Sequence, residues 1–309
     1  MTRHPVAVID CGTNTTRLLI TQDISEPPFA RLCTITRLGR GVDATGELNP
    51  AAIERTLGCL RDYRAHMDRY DVAAVRATAT SAVRDATNRN DFLNAAADVV
   101  GSSFEVLSGQ QEAFLSFQGA VSDLNVHEGP FLVVDIGGGS TELAYGNTEI
   151  ESALSLDIGS VRLTEKYLHS DPPSADELSA CLSLVGLHLD DAVRIMGSRL
   201  FDSELVGVAG TVSTVAAVEI GLVSYDRERL HHFALSKEAV EDVFRTLATE
   251  SLVDRMHNPG LESGRADVIV AGVCILAQFM RFFGFEECLV SERDLLDGLA
   301  RSLLQSDCE

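Results

Sequence analysis

Phe131-Leu132-Val133-Val134-Asp135-Ile136-Gly137-Gly138-Gly139-Ser140-Thr141-Glu142-Leu143 is the stretch that decides how this chain is read. An apolar strand runs into a turn of three glycines and two hydroxyls, and a second apolar stretch follows. Strand, small-residue turn, strand is a hairpin signal. The same order occurs earlier, at Val6-Ala7-Val8-Ile9-Asp10-Cys11-Gly12-Thr13-Asn14-Thr15-Thr16 followed by Leu18-Leu19-Ile20. Aligning Asp10 with Asp135 gives D-x-G-x-x-[ST]-T-x-L in both copies. That is a repeat on the scale of a domain, not a short-period solenoid.

Working outward, Asn49-Pro50 opens a helix as N-cap and first helical residue, with Ile53, Leu57, Leu60 and Met67 at helical spacing to about Arg69. Residues 72–77 read as a strand, 91–100 as a helix, 104–107 as a strand, and a further helix starts near Gln110. Ser174-Ala175-Asp176-Glu177 is a capping box ahead of a long helix. Residues 205–208 form a strand entering Ala209-Gly210-Thr211, 265–283 a helix closed by Gly284, 288–290 a short strand and 294–304 a last helix. No linker rich in Pro, Gly or Ser separates the halves, so two related α/β domains are expected to pack around a cleft.

The chain has 309 residues, 46 acidic against 25 basic side chains and a formal net charge of −21. That length suggests about two domains, each with a real core. A composition of 45% hydrophobic and 23% charged residues excludes a disordered chain. The surplus of acid argues against nucleic acid as a partner, since such binding needs a basic surface to displace counterions. A polyanionic substrate must then be held at a local site, with metal. The first apolar stretch is broken at Asp10, too early for a signal peptide. The longest apolar run, 268–277, falls short of the ~20 residues of a membrane span. Cysteines at 11, 33, 59, 181, 274, 288 and 308 are odd in number with no C-x-x-C pair, as expected of reduced thiols packed as small hydrophobes. A cytoplasmic protein without membrane partner is expected.

Small residues after a buried strand let backbone N–H groups approach an anion, because glycine permits positive φ and has no side chain to collide with phosphate oxygens. Thr13, Thr15, Ser140 and Thr141 offer hydroxyls to the same task. The carboxylate closing each strand, Asp10 or Asp135, repels phosphate by itself and makes sense as a ligand for Mg²⁺ or another divalent ion, since hard cations take oxygen ligands and bridge to phosphate. Glu142, at the far side of the second loop, is placed to reach the same ion.

These loops, with Val208-Ala209-Gly210-Thr211-Val212 as a third element, resemble the phosphate motifs of the actin-like superfamily of sugar kinases, chaperone ATPases and exopolyphosphatases. Four segments are similar to those that mark the exopolyphosphatase and guanosine pentaphosphate phosphohydrolase family: Ala79-Thr80-Ser81-Ala82-Val83-Arg84-Asp85-Ala86, Val106-Leu107-Ser108-Gly109-Gln110-Gln111-Glu112-Ala113, the loop from Asp135 to Glu142, and Arg265-Ala266-Asp267-Val268-Ile269-Val270-Ala271-Gly272. They span almost the whole chain in family order. The resemblance implies two related actin-like (ribonuclease H-like) α/β domains with an interdomain cleft. The first would comprise residues 1–123 with a C-terminal helix at 295–309, the second 124–294, as in the family's short form. A homodimer is also implied.

By the same resemblance Glu112 is the catalytic glutamate that activates water. Phosphate is bound by Gly12, Thr13, Asn14, Thr15, Ser81, Arg84, Gly137, Gly138, Gly139, Ser140, Thr141, Gly210 and Thr211, and metal by Asp135 and Glu142, with Asp10 as a further candidate. Arg84 offers bidentate contact to phosphate. One departure stands out: the family usually has a second acid before the catalytic one, and here that residue is Gln111. Arg17 fills the repeat position of Glu142, and Arg31, Arg37, Arg40 and Arg89 read mainly as solvated charges that could also line a polyanion's route. The implied activity is Mg²⁺-dependent removal of terminal phosphate from inorganic polyphosphate. The alternatives are hydrolysis of guanosine pentaphosphate and a non-catalytic sensor of polyphosphate or an alarmone.

Overall fold

In the computed structural model, which describes residues 4–306, the chain divides into unit 1, residues 1–119 with 295–309, and unit 2, residues 120–294. Unit 1 carries strands β1 (Val6–Cys11), β2 (Thr15–Thr21), β3 (Ala30–Ile35), β4 (Ala74–Ala79) and β5 (Phe104–Val106) in the order β3-β2-β1-β4-β5. β1, β2 and β3 form an antiparallel meander, while β4 and β5 run parallel to β1. The helices are α1 (Pro50–Arg69), the single turn α2 (Ser81–Asp85), α3 (Arg89–Val100) and α4 (Gly109–Ala120). Alternation along β1 sends Ala7, Ile9 and Cys11 into the larger core and Val8 to the other face. There Val8 meets Leu19, Leu107, Leu115 and the apolar side of the terminal helix Leu295–Ser306.

Unit 2 carries β6 (Phe131–Ile136), β7 (Thr141–Gly146), β8 (Ile150–Leu156), β9 (Glu204–Val208), β10 (Ala234–Ser236) and β11 (Glu287–Val290). Read from β8, the order β8-β7-β6-β9-β11 repeats that of unit 1 with the same strand directions, and β10 is added antiparallel at the edge. Two related α/β units are therefore present. The helices include α5 (Ser160–Tyr167), α6 (Ala175–Met196), α7 (Ala209–Ile220), α8 (Lys237–Thr249) and α9 (Ile269–Phe283). α9 is the most deeply buried of these; twelve of its residues are buried, as in a helix apolar on nearly all sides they must be.

Local chemistry fixes the ends. The Asn49 side chain accepts the Ala51 N–H with Pro50 following, Ser174 and Glu177 cap α6 reciprocally, and Gly284 (φ 75°) ends α9. α9 starts at Ile269 rather than at residue 265, because Ser263–Arg265 first makes a separate 3₁₀ turn. Strands β3, β8 and β10 add to the elements read from sequence. Among the described residues no helix is long and apolar enough to cross a membrane. None of the six described cysteines is in a disulfide; Cys308 lies outside the described residues.

Candidate active site

In unit 1 the parallel strands end together: Cys11 is level with Ala79, and Ala79 with Val106. The segments that follow are Gly12 to Thr15, Thr80 to Arg84 and Ser108 to Glu112, so three distant pieces of sequence share the carboxyl edge of one sheet, where open α/β sheets bind ligands. The Thr80 N–H donates to the Cys11 carbonyl and the Leu107 N–H to that of Ala79, tying each segment to its neighbour.

Arg84 and Glu112 are brought into direct ion-paired contact, and the same guanidinium donates to the Leu107 carbonyl at 2.9 Å. Glu112 is only 7% exposed, which a solvated helix-terminal charge would not be. Ser81 is 2% exposed and its hydroxyl has no hydrogen-bond partner, an expensive state unless a ligand supplies one. Gln111 points elsewhere: its Oε1 accepts from the Ser108 N–H (2.8 Å) and hydroxyl (3.0 Å), closing a capping box at the start of α4.

The two glycine turns are built alike. Gly12 N–H donates to the Thr15 carbonyl (2.9 Å), Gly137 N–H to that of Ser140 (3.0 Å), and a Cβ at either glycine would come within 3.0 Å of that same oxygen. Thr13, Asn14 and Ser140 are buried at these turns. Thr141 differs from its expected role: it is fully buried and gives its hydroxyl proton to the Ile158 carbonyl (2.7 Å), so it fastens the loop instead of presenting a donor. Beyond β9, Ala209 takes a left-handed φ of 68° and Gly210 and Thr211 open α7. A side chain at Gly210 would collide with the Arg265 guanidinium, and Gly272 of α9 lies against Thr211.

On the strand next to β9, Asp135 faces Glu142 across β6 and β7, as Asp10 faces Arg17 across β1 and β2. Asp10 and Arg17 form an ion pair (Nη2 to Oδ2 2.8 Å). Asp135 and Glu142 are two acids, 9% and 4% exposed, with the Ser155 hydroxyl donating to Glu142 at 2.7 Å.

The sequence model of the Ppx/GppA phosphatase family matches residues 22–307. The chain belongs to the Ppx/GppA phosphatase family. It is 41% identical to Exopolyphosphatase 2 of Mycobacterium tuberculosis (strain CDC 1551 / Oshkosh), over 96% of this chain and 98% of that one. It is 30% identical to the Guanosine-5'-triphosphate,3'-diphosphate pyrophosphatase of Aeromonas hydrophila, over 98% of this chain and 60% of that protein. The crystal structure of the Aquifex aeolicus Ppx/GppA family member superposes with a TM-score of 0.81 at 31% identity, covering 98% of this chain and 99% of that one. As a Ppx/GppA protein the chain is a phosphoanhydride hydrolase.

A divalent-metal requirement goes with Ppx/GppA phosphatases, and the donor set in unit 2 fits one. Directly opposed carboxylates on one sheet face repel unless a cation shares them, and hard oxygen ligands suit a hard ion. Asp10 is less suited, since Arg17 already supplies its counter-charge.

Sequence reasoning missed the pairing of Arg84 with Glu112, because nothing local marks a contact across 28 positions. It also missed Arg265 at Gly210, although Arg265 opens a segment already singled out. A separate group in unit 2, Asp123 with His231 and His232, has three ligand atoms within 4.8 Å of one another. Arg293 is also on the Asp123 carboxylate (2.9 Å), and the Glu292 N–H donates to His231 Nδ1. Burial works to raise the Asp123 pKa, but the hydrogen bond from His231 and the charge of Arg293 outweigh it and hold it below the usual carboxylate value. These partners make the group a hydrogen-bonded clasp.

Proposed function

We propose that this protein removes terminal orthophosphate from inorganic polyphosphate. The observation that carries this reading is the ion pair of half-buried Arg84 with buried Glu112 beside an unpartnered Ser81 hydroxyl, at the sheet edge that also carries the turn from Gly12 to Thr15. A terminal phosphate there would take N–H and hydroxyl donors from the turn and the Ser81 hydroxyl, and draw Arg84 onto its oxygens. Glu112, left with a water in place of part of its guanidinium contact, accepts a proton as the water oxygen attacks phosphorus. The new P–O bond forms as the bridging P–O bond breaks. The electron pair leaves on the shortened chain, and Arg84 stabilises the charge gathering on the transferred group.

Unit 2 contributes phosphate binding through Gly137, Gly138, Gly139 and Ser140, with Gly210 and Thr211. Asp135 and Glu142 would hold Mg²⁺, which when bound neutralises phosphate charge that a protein of net charge −21 otherwise repels. Asp10 is the weaker ligand candidate. The 41% identity to Exopolyphosphatase 2 supports polyphosphate; the Aeromonas relative keeps guanosine pentaphosphate as the second reading. A cytoplasmic homodimer belongs to the same proposal, checked by fractionation and sedimentation.

The test is phosphate release with Mg²⁺ from short polyphosphate, long polyphosphate, guanosine pentaphosphate and ATP, beside a Glu112→Ala control. Release from polyphosphate that vanishes in the variant is the expected result. Release from the guanosine substrate alone would transfer the assignment, and silence on all four with ligand binding intact would favour a sensor.

A further inference from the structure

A run of three glycines is the least self-supporting backbone a phosphate loop can have. Glycine visits both signs of φ, so its flanking peptide planes can turn over, and a loop whose N–H groups must face an anion needs something outside itself to fix them. The structure shows what does so in unit 2. The segment after β8 lies directly behind the loop: a Cβ at Gly159 would come within 2.5 Å of the Gly138 carbonyl carbon and oxygen. From there the Ser160 N–H donates to the Gly137 carbonyl (3.0 Å), and the Val161 and Arg162 N–H groups to that of Gly138 (2.8 and 3.1 Å). The third carbonyl, Gly139, is out of reach of this backbone series and is taken by the Arg162 side chain, Nε–H to O at 2.7 Å.

All three peptides are trans, since the cis bonds lie at Gly129-Pro130 and Asp171-Pro172. In a trans peptide the carbonyl of one residue and the N–H of the next point in opposite directions. Drawing the carbonyls of Gly137, Gly138 and Gly139 toward α5 therefore turns the N–H groups of Gly138, Gly139 and Ser140 away from it, in one common direction. We infer that Arg162 is a positioning residue for this loop: by holding the Gly139 carbonyl it fixes the Ser140 N–H as a phosphate donor. The inference rests on the phosphate-binding reading of the loop given above.

Unit 1 shows why a side chain is needed here. Its loop is backed by the residues after β3, where the Thr36 and Arg37 N–H groups donate to the Asn14 carbonyl and the Gly39 N–H to that of Thr13. A side chain at Gly39 would collide with Thr13, as one at Gly159 would with Gly138. Thr13, Asn14 and Thr15 carry side chains that restrict their own backbone. The all-backbone clamp suffices there; the glycine run takes one guanidinium more.

The experiment titrates the full ¹⁵N-labelled chain with inorganic tripolyphosphate, reading the amide signals of Gly138, Gly139 and Ser140 and the affinity by calorimetry, for wild type, Arg162→Ala and Arg162→Lys. Expected are shifts of all three amides in wild type. Arg162→Ala should then lose affinity roughly ten- to one-hundred-fold, the worth of one hydrogen bond to a charged group. Its thermal midpoint should stay within a few degrees, and lysine should restore part of the binding. Wild-type affinity in Arg162→Ala would overturn the inference, as would wild-type amides that do not move. Should Arg162→Ala fail to fold, Arg162→Met, which keeps the aliphatic stem and lacks the donor, takes its place in the same comparison. Phosphate release is measured on the same sample. Binding with the expected shifts but no turnover would remove the hydrolase reading and leave Arg162's role standing, whereas no binding would remove both.

Discussion

The two glycine turns come from one plan, yet they end at opposite charges. In unit 1 the acid closing the central strand, Asp10, faces Arg17; in unit 2 the matching acid, Asp135, faces Glu142. Strand order, turn geometry and the glycine backing each loop are repeated, so apart from the clamp on the loop the contrast lies in what crosses the first two strands. A neutralised pair leaves its turn to work by hydrogen bonding, close to Arg84 and Glu112. Two buried acids set opposite one another are a donor pair that a hard cation can share, and on the proposed reading that ion meets the polyanion. On the proposed reading, the residue opposite the strand-closing acid is what divides the two turns between chemistry and metal binding.

Five experiments can break or sharpen that contrast. Glu112→Gln should lower kcat by about 10²–10⁴-fold, the usual worth of a positioned proton acceptor, with tripolyphosphate affinity changed only a few-fold by calorimetry. Arg17→Glu makes unit 1 resemble unit 2. Breaking a buried pair in this way should cost about 3–5 kcal/mol in thermal unfolding, and millimolar Mg²⁺ should recover part of it; no recovery would show that opposed acids here are not enough to bind the ion. The reciprocal Glu142→Arg should leave a folded protein whose unfolding no longer responds to Mg²⁺.

Gly39→Ala and Gly159→Ala each push a methyl group into the loop in front, which should cost roughly 1–3 kcal/mol as overpacking does. Denaturant unfolding measures this, and a shared loss would confirm that the two backing segments are equivalent. The smallest effect is expected of Gln111→Glu, because glutamate closes the same capping box: stability within about 0.5 kcal/mol and turnover within about twofold. A tenfold gain in turnover would instead give the missing second acid a part in the reaction.

What the sequence made legible was whatever is local and strongly patterned. β1, β6 and the turns after them are continuous apolar runs ending in small residues, and Asn49, Ser174 and Gly284 announce helix ends by their own chemistry. The third strand of each meander was hidden: β3 and β8 are mostly half-exposed and lack the clean alternation that marks a strand. At the site, residue types were readable and their mates were not. Arg84 read as a contact for phosphate, but its ion pair with Glu112 depends on β4 and β5 ending level. Gln111 looked like a lost acid until its amide was seen capping α4, and Thr141 looked like a donor until its proton was seen on Ile158.

The terminal helix adds a matter of timing. Unit 2 is one unbroken stretch, whereas unit 1 waits for residues 295–306 before Val8, Leu19 and Leu115 are covered. At Gly298 that helix lies so close to the Leu115 carbonyl that no side chain would fit, and Leu115 stands one turn beyond Glu112 on α4. At translation rates of about 5–20 residues per second, β1 spends on the order of 10 s or more on the ribosome with one face uncovered. A nascent chain thus holds Glu112 on a helix that is unbraced on that side until residues 295–306 have been made.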